Sequence, residues 1–389
     1  MTLDKRRSGW NRRDFLVGGA LAGLGASGAL AACGGFGSSA STTLPATTTA
    51  EPVVAPPDRK TLRIATWPYY IENDAPATSA TIRNFTAATG YKVDYHSVLD
   101  DNFTFTEKYV RDLQHGTQIG FDIVVPTAWM CETWISQGWV EEIPASTVPN
   151  RTNLLTSLAH PSFDPDRKYT LPFTIGQVGI AYYPAKVGFT ITSMRDFLRP
   201  ELAGKASVLT EMRDTVGMFL LMAGVTPETA TLDQMRSAVA EIKKYRDAGH
   251  FKSVTGNSYA DDLKDGSLSA ALAWSGDVAT LQAERPDLTW VLPAEGAMSF
   301  VDTMIIPKGA NMDAAAAWLN YLYDPAVSGP LFEAISYGSP VTGAEQHMSA
   351  RGRANSLVVP QNVTKLHEFA SLTLAEAGSI NRAFGLAIA

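Results

Sequence analysis

Three acidic residues have positions that suggest binding chemistry. Asp302 interrupts an otherwise apolar segment, residues 298–306. An unpaired carboxylate is costly to bury, so Asp302 calls for a positive partner, either in a ligand or in a structural salt bridge. Glu211 and Asp214 are three residues apart and share one face if a helix has begun there. Arg213 lies between them and could neutralise either one, and the helix dipole by itself favours carboxylates at a helix start.

The overall charge agrees with a cationic ligand and excludes several other functions. The 389 residues include 39 Asp and Glu against 32 Lys and Arg, a net charge of −7. This balance disfavours nucleic-acid binding, which relies on Lys and Arg to neutralise phosphates. The sequence contains no G-x-S-x-G, no Walker loop and no H-E-x-x-H, and its histidines are scattered without ligand spacing. We therefore expect no enzyme, no cofactor and no metal site.

Residues 1–32 have the composition of a signal peptide. Five basic side chains precede an uncharged run from residue 15 to residue 32, rich in Gly and Ala and only weakly hydrophobic. The segment N-R-R-D-F-L, residues 11–16, resembles the twin-arginine export signal. Asn11 precedes the arginine pair in place of Ser or Thr, and no Lys follows Leu16, so the Sec pathway remains the alternative.

The segment L-A-A-C-G, residues 30–34, resembles a bacterial lipobox, in which Cys33 receives a diacylglycerol and becomes the mature N-terminus. Of residues 34–59, 19 are Gly, Ser, Thr, Ala or Pro, a composition that cannot bury enough apolar surface to offset ordering entropy. We predict a lipidated flexible tether over residues 33–60 and an exported, membrane-anchored protein of the cell envelope. The alternative is a soluble secreted protein cut near an A-x-A site.

From residue 61 onwards, short β-like runs alternate with helical ones, which predicts an α/β architecture with largely parallel sheets. Strands are predicted at residues 62–66, 91–98, 121–125, 171–183, 207–209, 268–274, 288–292 and 299–306. Helices are predicted at residues 78–88, 106–115, 128–137, 216–223, 232–248 and 314–323. Loops that follow parallel strands gather at one edge of the sheet, where ligands bind in open α/β folds. Gly176 and Gly179 mark possible bends in the long strand 171–183.

Several segments, in this order and spacing, resemble the bacterial periplasmic spermidine/putrescine-binding proteins, the solute receptors of polyamine ABC importers. They are residues 65–71, 120–129, 171–187, 200–209, 271–277, 300–310 and 335–341. The resemblance implies the two-lobe periplasmic binding protein fold (type II), with the ligand in a cleft between two α/β lobes. It implies a first lobe of residues 61–176 plus 299–336 and a second of residues 177–298 plus 337–389. We expect a monomer that works with permease and ATPase subunits.

A polyamine is a string of ammonium groups joined by methylenes, so its site needs carboxylates at intervals and aromatic rings between them. The resemblance implies ten ligand contacts. They are Trp67, Tyr70, Thr127, Trp129, Glu211, Asp214, Trp274, Phe300, Asp302 and Tyr337. At Trp129 the family commonly has Tyr, and the local spacing leaves open which of Glu211 and Asp214 contacts the ligand.

Other functions on the same scaffold remain open at this point. A small anion, sugar or peptide would favour Arg213 over Asp302 at the centre of the cleft. A hydrolase would use Asp302 or Glu211. Adjacent tyrosines such as Tyr182 and Tyr183 also occur in iron-binding relatives. Cys131 has no nearby His, so we interpret it as a small buried hydrophobic residue and not as a nucleophile.

Overall fold

The computed structural model describes residues 58–72, 75–99, 101–355 and 366–389. The predicted signal peptide, Cys33 and the tether up to residue 57 lie outside the described residues. Within them, no helix is long and apolar enough to cross a membrane.

The first part of the chain alternates strands and helices as predicted. Its elements are β1 (Thr61–Thr66), α1 (Ala80–Thr89), β2 (Lys92–Ser97), α2 (Asn102–Gln114), β3 (Ile123–Val124) and α3 (Ala128–Ser136). The Ser79 side chain caps α1 by accepting from the Ile82 backbone N–H, and Gly90 ends the helix at a φ of 77°. Helix α2 begins four residues before its predicted start, because the Asp101 side chain caps it by accepting from the backbone N–H of Thr104.

A long strand, β4 (Thr170–Tyr182), carries the chain onward. The elements after it are α4 (Pro184–Val187), α5 (Met194–Phe197), β5 (Ala206–Leu209), α6 (Met212–Met222), α7 (Leu232–Asp247), β6 (Phe251–Thr255), α8 (Tyr259–Lys264), β7 (Ala270–Trp274), α9 (Ser275–Glu284) and β8 (Thr289–Val291). The return strand is β9 (Ala297–Ile305), followed by α10 (Met312–Leu322), α11 (Pro325–Ile335), α12 (Ala350–Ala354), β10 (Leu366–His367) and α13 (Leu374–Ile388).

The strands form one hydrogen-bonded path in the order β2-β1-β3-β9-β4-β7-β5-β6, with β10 on β9 and β8 on β4. Strands β1, β2 and β3 pair in parallel, and so do β5, β6 and β7. Strand β4 is antiparallel to β7, β8 and β9, and β9 is antiparallel to β3. The predicted parallel pairing therefore holds at the two ends of the sheet and is wrong at its centre, where the chain crosses on β4 and returns on β9.

Close packing, and not a bend in the strand, explains why residues 176 and 179 of β4 are glycines. A Cβ atom on Gly176 would lie 2.0 Å from Cζ of Phe300, and one on Gly179 would lie 2.7 Å from the Trp290 ring. The strand is continuous through both positions; its irregularity falls between Pro172 and Thr174. The interpretation of these glycines as bends was wrong.

Separate hydrophobic cores lie at the two ends of the sheet. Around β1 the fully buried Trp318 and Phe85 pack in one cluster, while Trp134 anchors another. Around β5 and β7 the core includes Phe219 and, from α13, Phe384. The C-terminal helix therefore packs in the same core as β5 and β7. Residues 341–348 bury Val341, Ala344 and Met348 in the core around β1, so this segment packs at the opposite end of the sheet from the C-terminal helix.

Candidate functional site

A cleft that is partly open to solvent is lined by residues from both ends of the sheet. All ten residues that the sequence singled out line it: Trp67, Tyr70, Thr127, Trp129, Glu211, Asp214, Trp274, Phe300, Asp302 and Tyr337. Its lining carries seven acidic residues: Asp101, Glu132, Glu211, Asp214, Asp277, Asp302 and Glu368. Among the described residues, Arg213 is the one basic side chain in the lining.

Asp302 lies on β9 with only 3% of its surface exposed. Its carboxylate accepts hydrogen bonds from the hydroxyls of Tyr70 and, at 2.8 Å, Thr127. Asn102 fixes Thr127 in turn, because its amide group bonds to the Thr127 hydroxyl and backbone N–H at 3.0 Å each. In the part of the chain that the structure describes, no Lys, Arg or His side chain lies within 4.0 Å of the Asp302 carboxylate. The alternative of a structural salt bridge at Asp302 is therefore not observed.

Burial raises the pKa of Asp302 from an ordinary value of 3.8 to about 6, although the bonds from Tyr70 and Thr127 oppose the shift. Desolvation disfavours the charged form of a carboxyl group, and two neutral hydroxyl donors compensate only in part. A cation placed beside Asp302 would reverse this effect. The site thus has an uncompensated buried carboxylate.

Glu211 and Asp214 form a second acidic group at the start of α6. Helix α6 begins at Met212 and not at residue 216 as predicted. Glu211 is its N-cap residue, and its carboxylate accepts from the Arg213 backbone N–H at 3.4 Å. Asp214, in the first turn, accepts from the indole N–H of Trp274 at 2.8 Å. The two acids are therefore neighbours in the cleft, although Glu211 stands outside the helix.

Burial raises the pKa of Glu211 to about 7. The pKa of Asp214 is raised well above its ordinary value, first by burial and then by repulsion from Glu211. Arg213 lowers both pKa values, but burial outweighs its effect. The pair carries less than its full negative charge at neutral pH when the cleft holds no cation.

A further carboxylate, Asp277, was not predicted. It lies in the first turn of α9 and accepts from the hydroxyl of Tyr259 at 2.7 Å, the amide of Asn257 at 3.3 Å and the hydroxyl of Tyr337 at 3.5 Å. Burial raises its pKa. The feature of the sequence that could have identified Asp277 is its position three residues after Trp274, just beyond the carboxyl end of β7.

Aromatic rings form the wall between these acids. The rings of Tyr70 and Tyr337 are 5.4 Å apart edge to face, and Phe300 lies 6.4 Å from Tyr337. One face of Trp129 is covered, because the guanidinium carbon of Arg213 lies 3.5 Å from its ring centre. The C-terminal segment 368–371 also lines the cleft, and no motif in the sequence indicated this.

Neither the tyrosine pair nor Cys131 contributes to the lining of this cleft. Tyr182 and Tyr183 do not line it, and the Tyr183 hydroxyl donates to the backbone oxygen of Leu263 at 2.8 Å. Cys131 is fully buried, and burial raises the pKa of its thiol well above the ordinary value. No group of three or more His, Cys, Asp or Glu side chains suited to a metal ion occurs in the described ranges.

Comparison with known proteins identifies the family. The sequence profile of bacterial extracellular solute-binding proteins matches residues 80–355. The chain belongs to this family. It is 30% identical over 325 residues to the putrescine-binding periplasmic protein PotF of Escherichia coli (strain K12), covering 78% of this chain and 84% of that protein. It is 28% identical over 279 residues to the spermidine/putrescine-binding periplasmic protein 1 of Haemophilus influenzae, covering 71% and 74%.

Solved structures confirm the two-lobe binding-protein fold. A putative spermidine/putrescine ABC transporter protein from Listeria monocytogenes matches with a TM-score of 0.75 at 23% identity, covering 84% of this chain and 98% of that one. The substrate-binding protein PotD from Streptococcus pneumoniae gives 0.70 at 21%, covering 84% and 98%. The resemblance and the fold class predicted for this solute-binding protein are therefore confirmed.

The raised pKa of Asp302 predicts how the stability of the empty solute-binding protein depends on pH. The unfolded chain releases this proton near pH 4 and the folded protein near pH 6, so the free energy of unfolding falls as pH rises through that window. Relative to Asp302→Asn, the wild type should lose about 2 kcal/mol between pH 4 and pH 8. Urea unfolding of both proteins across this range measures the difference. Parallel pH profiles would contradict the assignment.

Proposed function

We propose that this chain is a lipid-anchored receptor that binds spermidine, putrescine or a similar polyamine and delivers it to an ABC importer. The observation that carries the proposal is the imbalance of charge in the cleft, where seven acidic side chains stand against one arginine. Buried carboxylates need cations, and the described part of the protein does not supply one to Asp302.

Asp302 is the proposed anchor for one ammonium group. Tyr70 and Thr127 hold its carboxylate in place and leave acceptor capacity, since an ionised carboxylate has about four lone-pair sites. An ammonium group donates up to three hydrogen bonds and would lower the pKa of Asp302 by its charge.

A second ammonium group would meet Glu211 and Asp214. Asp302 contributes to the raised pKa of both residues, which places the two acidic groups within electrostatic range of each other. Rings of Trp67, Phe300 and Tyr337 line the same cleft and can cover methylene groups and attract ammonium groups. Carboxylates at intervals with rings between them fit an alkyl chain with several positive charges.

Lobe closure is the proposed means of signalling. The cleft lies between residues of the two proposed lobes. The first lobe comprises residues 61–176 plus 299–336, and the second comprises residues 177–298 plus 337–389. We extend the C-terminal limit of the first lobe to about residue 348, because residues 341–348 pack in its core. A ligand that contacts both lobes shifts the equilibrium between open and closed forms. The closed form would be recognised by the permease, so the protein acts by binding and not by catalysis.

Substitution of Asp302 tests the ligand directly. Asp302→Asn should weaken binding of putrescine or spermidine by about 2 to 5 kcal/mol, because the desolvated ammonium loses its charged partner. Isothermal titration calorimetry on residues 61–389 measures this loss. The control is Asp233→Asn, whose side chain is 91% exposed and outside the cleft. A loss below tenfold would remove Asp302 from contact with the ligand, and no binding of any polyamine at millimolar concentration would overturn the proposed function.

The proposed lipid anchor rests on Cys33 and the signal peptide of residues 1–32. Conversion of Cys33 to Ser should move the exported protein from the membrane fraction to the soluble fraction, since no thioether can form. Fractionation with labelled fatty acid measures this change. Conversion of the buried Cys131 to Ser is the control, and label retained after Cys33→Ser would contradict the proposal.

A further inference from the structure

Arg213 is a buried cation in the middle of an acidic cleft. It is the second residue of α6, and 5% of its surface is exposed. Its guanidinium carbon lies 3.5 Å from the ring centre of Trp129, which belongs to α3 of the first lobe. The ring of Phe369 lies at 5.8 Å. The side chain therefore reaches across the cleft between the two lobes.

Two guanidinium nitrogens of Arg213, Nε and Nη1, are buried and have no hydrogen-bond partner among the described residues. The charges of Glu211, Asp214 and Glu132 act on the guanidinium, but no ion pair within 4.0 Å joins it to any of them. Glu211 accepts from a backbone N–H and Asp214 from the indole of Trp274. An unsatisfied buried N–H group costs about 1 to 3 kcal/mol, and more where the group is charged. Burial lowers the pKa of Arg213 only to about 10, so the guanidinium is charged at neutral pH.

Arg167 provides a comparison, because it is a buried arginine of the same protein whose guanidinium nitrogens are all hydrogen-bonded within the fold. It is equally buried, at 5% exposure. Its guanidinium donates to the backbone oxygen of Leu158 at 2.9 and 2.6 Å and to the hydroxyl of Thr170 at 2.9 Å. Arg213 has no such set of acceptors, so its role is not explained by support of the fold.

A diamine cannot supply the missing acceptor. An ammonium group only donates hydrogen bonds, and it carries the same charge as the guanidinium. A carboxylate accepts them and carries the opposite charge, and pairing of this kind is among the strongest in proteins. The adjacent acids do not forbid it, because burial keeps Glu211 and Asp214 partly protonated.

We propose that the cleft also takes ligands in which one ammonium group of a diamine is replaced by a carboxylate, with that carboxylate on Arg213 and the remaining ammonium on Asp302. This inference rests on the proposed function, since the ammonium end uses the same carboxylate. It adds a ligand class, ω-amino carboxylates, that a receptor for polyamines alone would not require.

Three four-carbon ligands separate the contribution of the ammonium group to binding from that of the carboxylate. They are putrescine, 4-aminobutanoate and butylamine. The last two share one ammonium and differ only in the terminal carboxylate. Calorimetry on the wild type should show 4-aminobutanoate binding at least tenfold more tightly than butylamine. Arg213→Gln should bring this ratio close to one, and Arg213→Lys should restore part of it. The control is Arg199→Gln, which removes an exposed arginine that stacks 4.0 Å from Phe189 and already pairs with Glu201.

The outcomes distinguish the two proposals. A wild-type ratio near one, or a high ratio that survives Arg213→Gln, overturns the role of Arg213, and putrescine binding then leaves the proposed function intact. Binding of 4-aminobutanoate that depends on Arg213, without binding of putrescine or spermidine, supports this inference and contradicts the polyamine function. Because the ratio compares two ligands on the same sample, a partly folded variant does not distort it, and the wild-type ratio needs no variant.

Discussion

The cleft depends on buried carboxylates whose charge the protein compensates only in part. Asp302 is nearly inaccessible to solvent, and its bonds come from the neutral hydroxyls of Tyr70 and Thr127. Glu211 and Asp214 are close enough to repel each other; Trp274 supplies a neutral N–H, and the charge of Arg213 does not outweigh the effect of burial. Both the Asp302 site and the pair of Glu211 and Asp214 destabilise the empty protein, because burial of an uncompensated charge is unfavourable. Under the proposed function, a cationic ligand would recover this free energy.

The crossing strands explain how the cleft is assembled. Strand β9 carries Phe300 and Asp302 and pairs antiparallel with β4 over the length of the crossing. Thr127, between β3 and α3, makes an isolated bridge to Asp302, which fixes this side of the site. On the other side, Glu211 and Asp214 enter at the start of α6. The site therefore combines a rigid anchor on the sheet with groups on a neighbouring helix terminus.

Sequence reasoning predicted the elements with strong periodicity and the residues with strong chemical contrast. Strands β4 and β9 were predicted to within two residues, because their apolar runs are long. Helix α9 was missed, because its first residues, Ser, Gly and Asp, are poor helix formers. Asp302 was recognised because a charge in an apolar run needs an explanation. Asp277 does not stand out from its neighbours in the sequence. Only the folded structure brings the hydroxyls of Tyr259 and Tyr337 to its carboxylate and so identifies it as a site residue.

The proton balance of binding tests the central claim most directly. Titration of putrescine by calorimetry at pH 6.5, in buffers with different ionisation enthalpies, counts the protons exchanged when the ligand binds. Asp302 and Glu211, with pKa values of about 6 and about 7, are partly protonated in the empty cleft at this pH. Ammonium groups beside these two residues and Asp214, whose pKa is also raised, should expel at least about one proton in total. Binding with no proton release, or with proton uptake, would contradict the account.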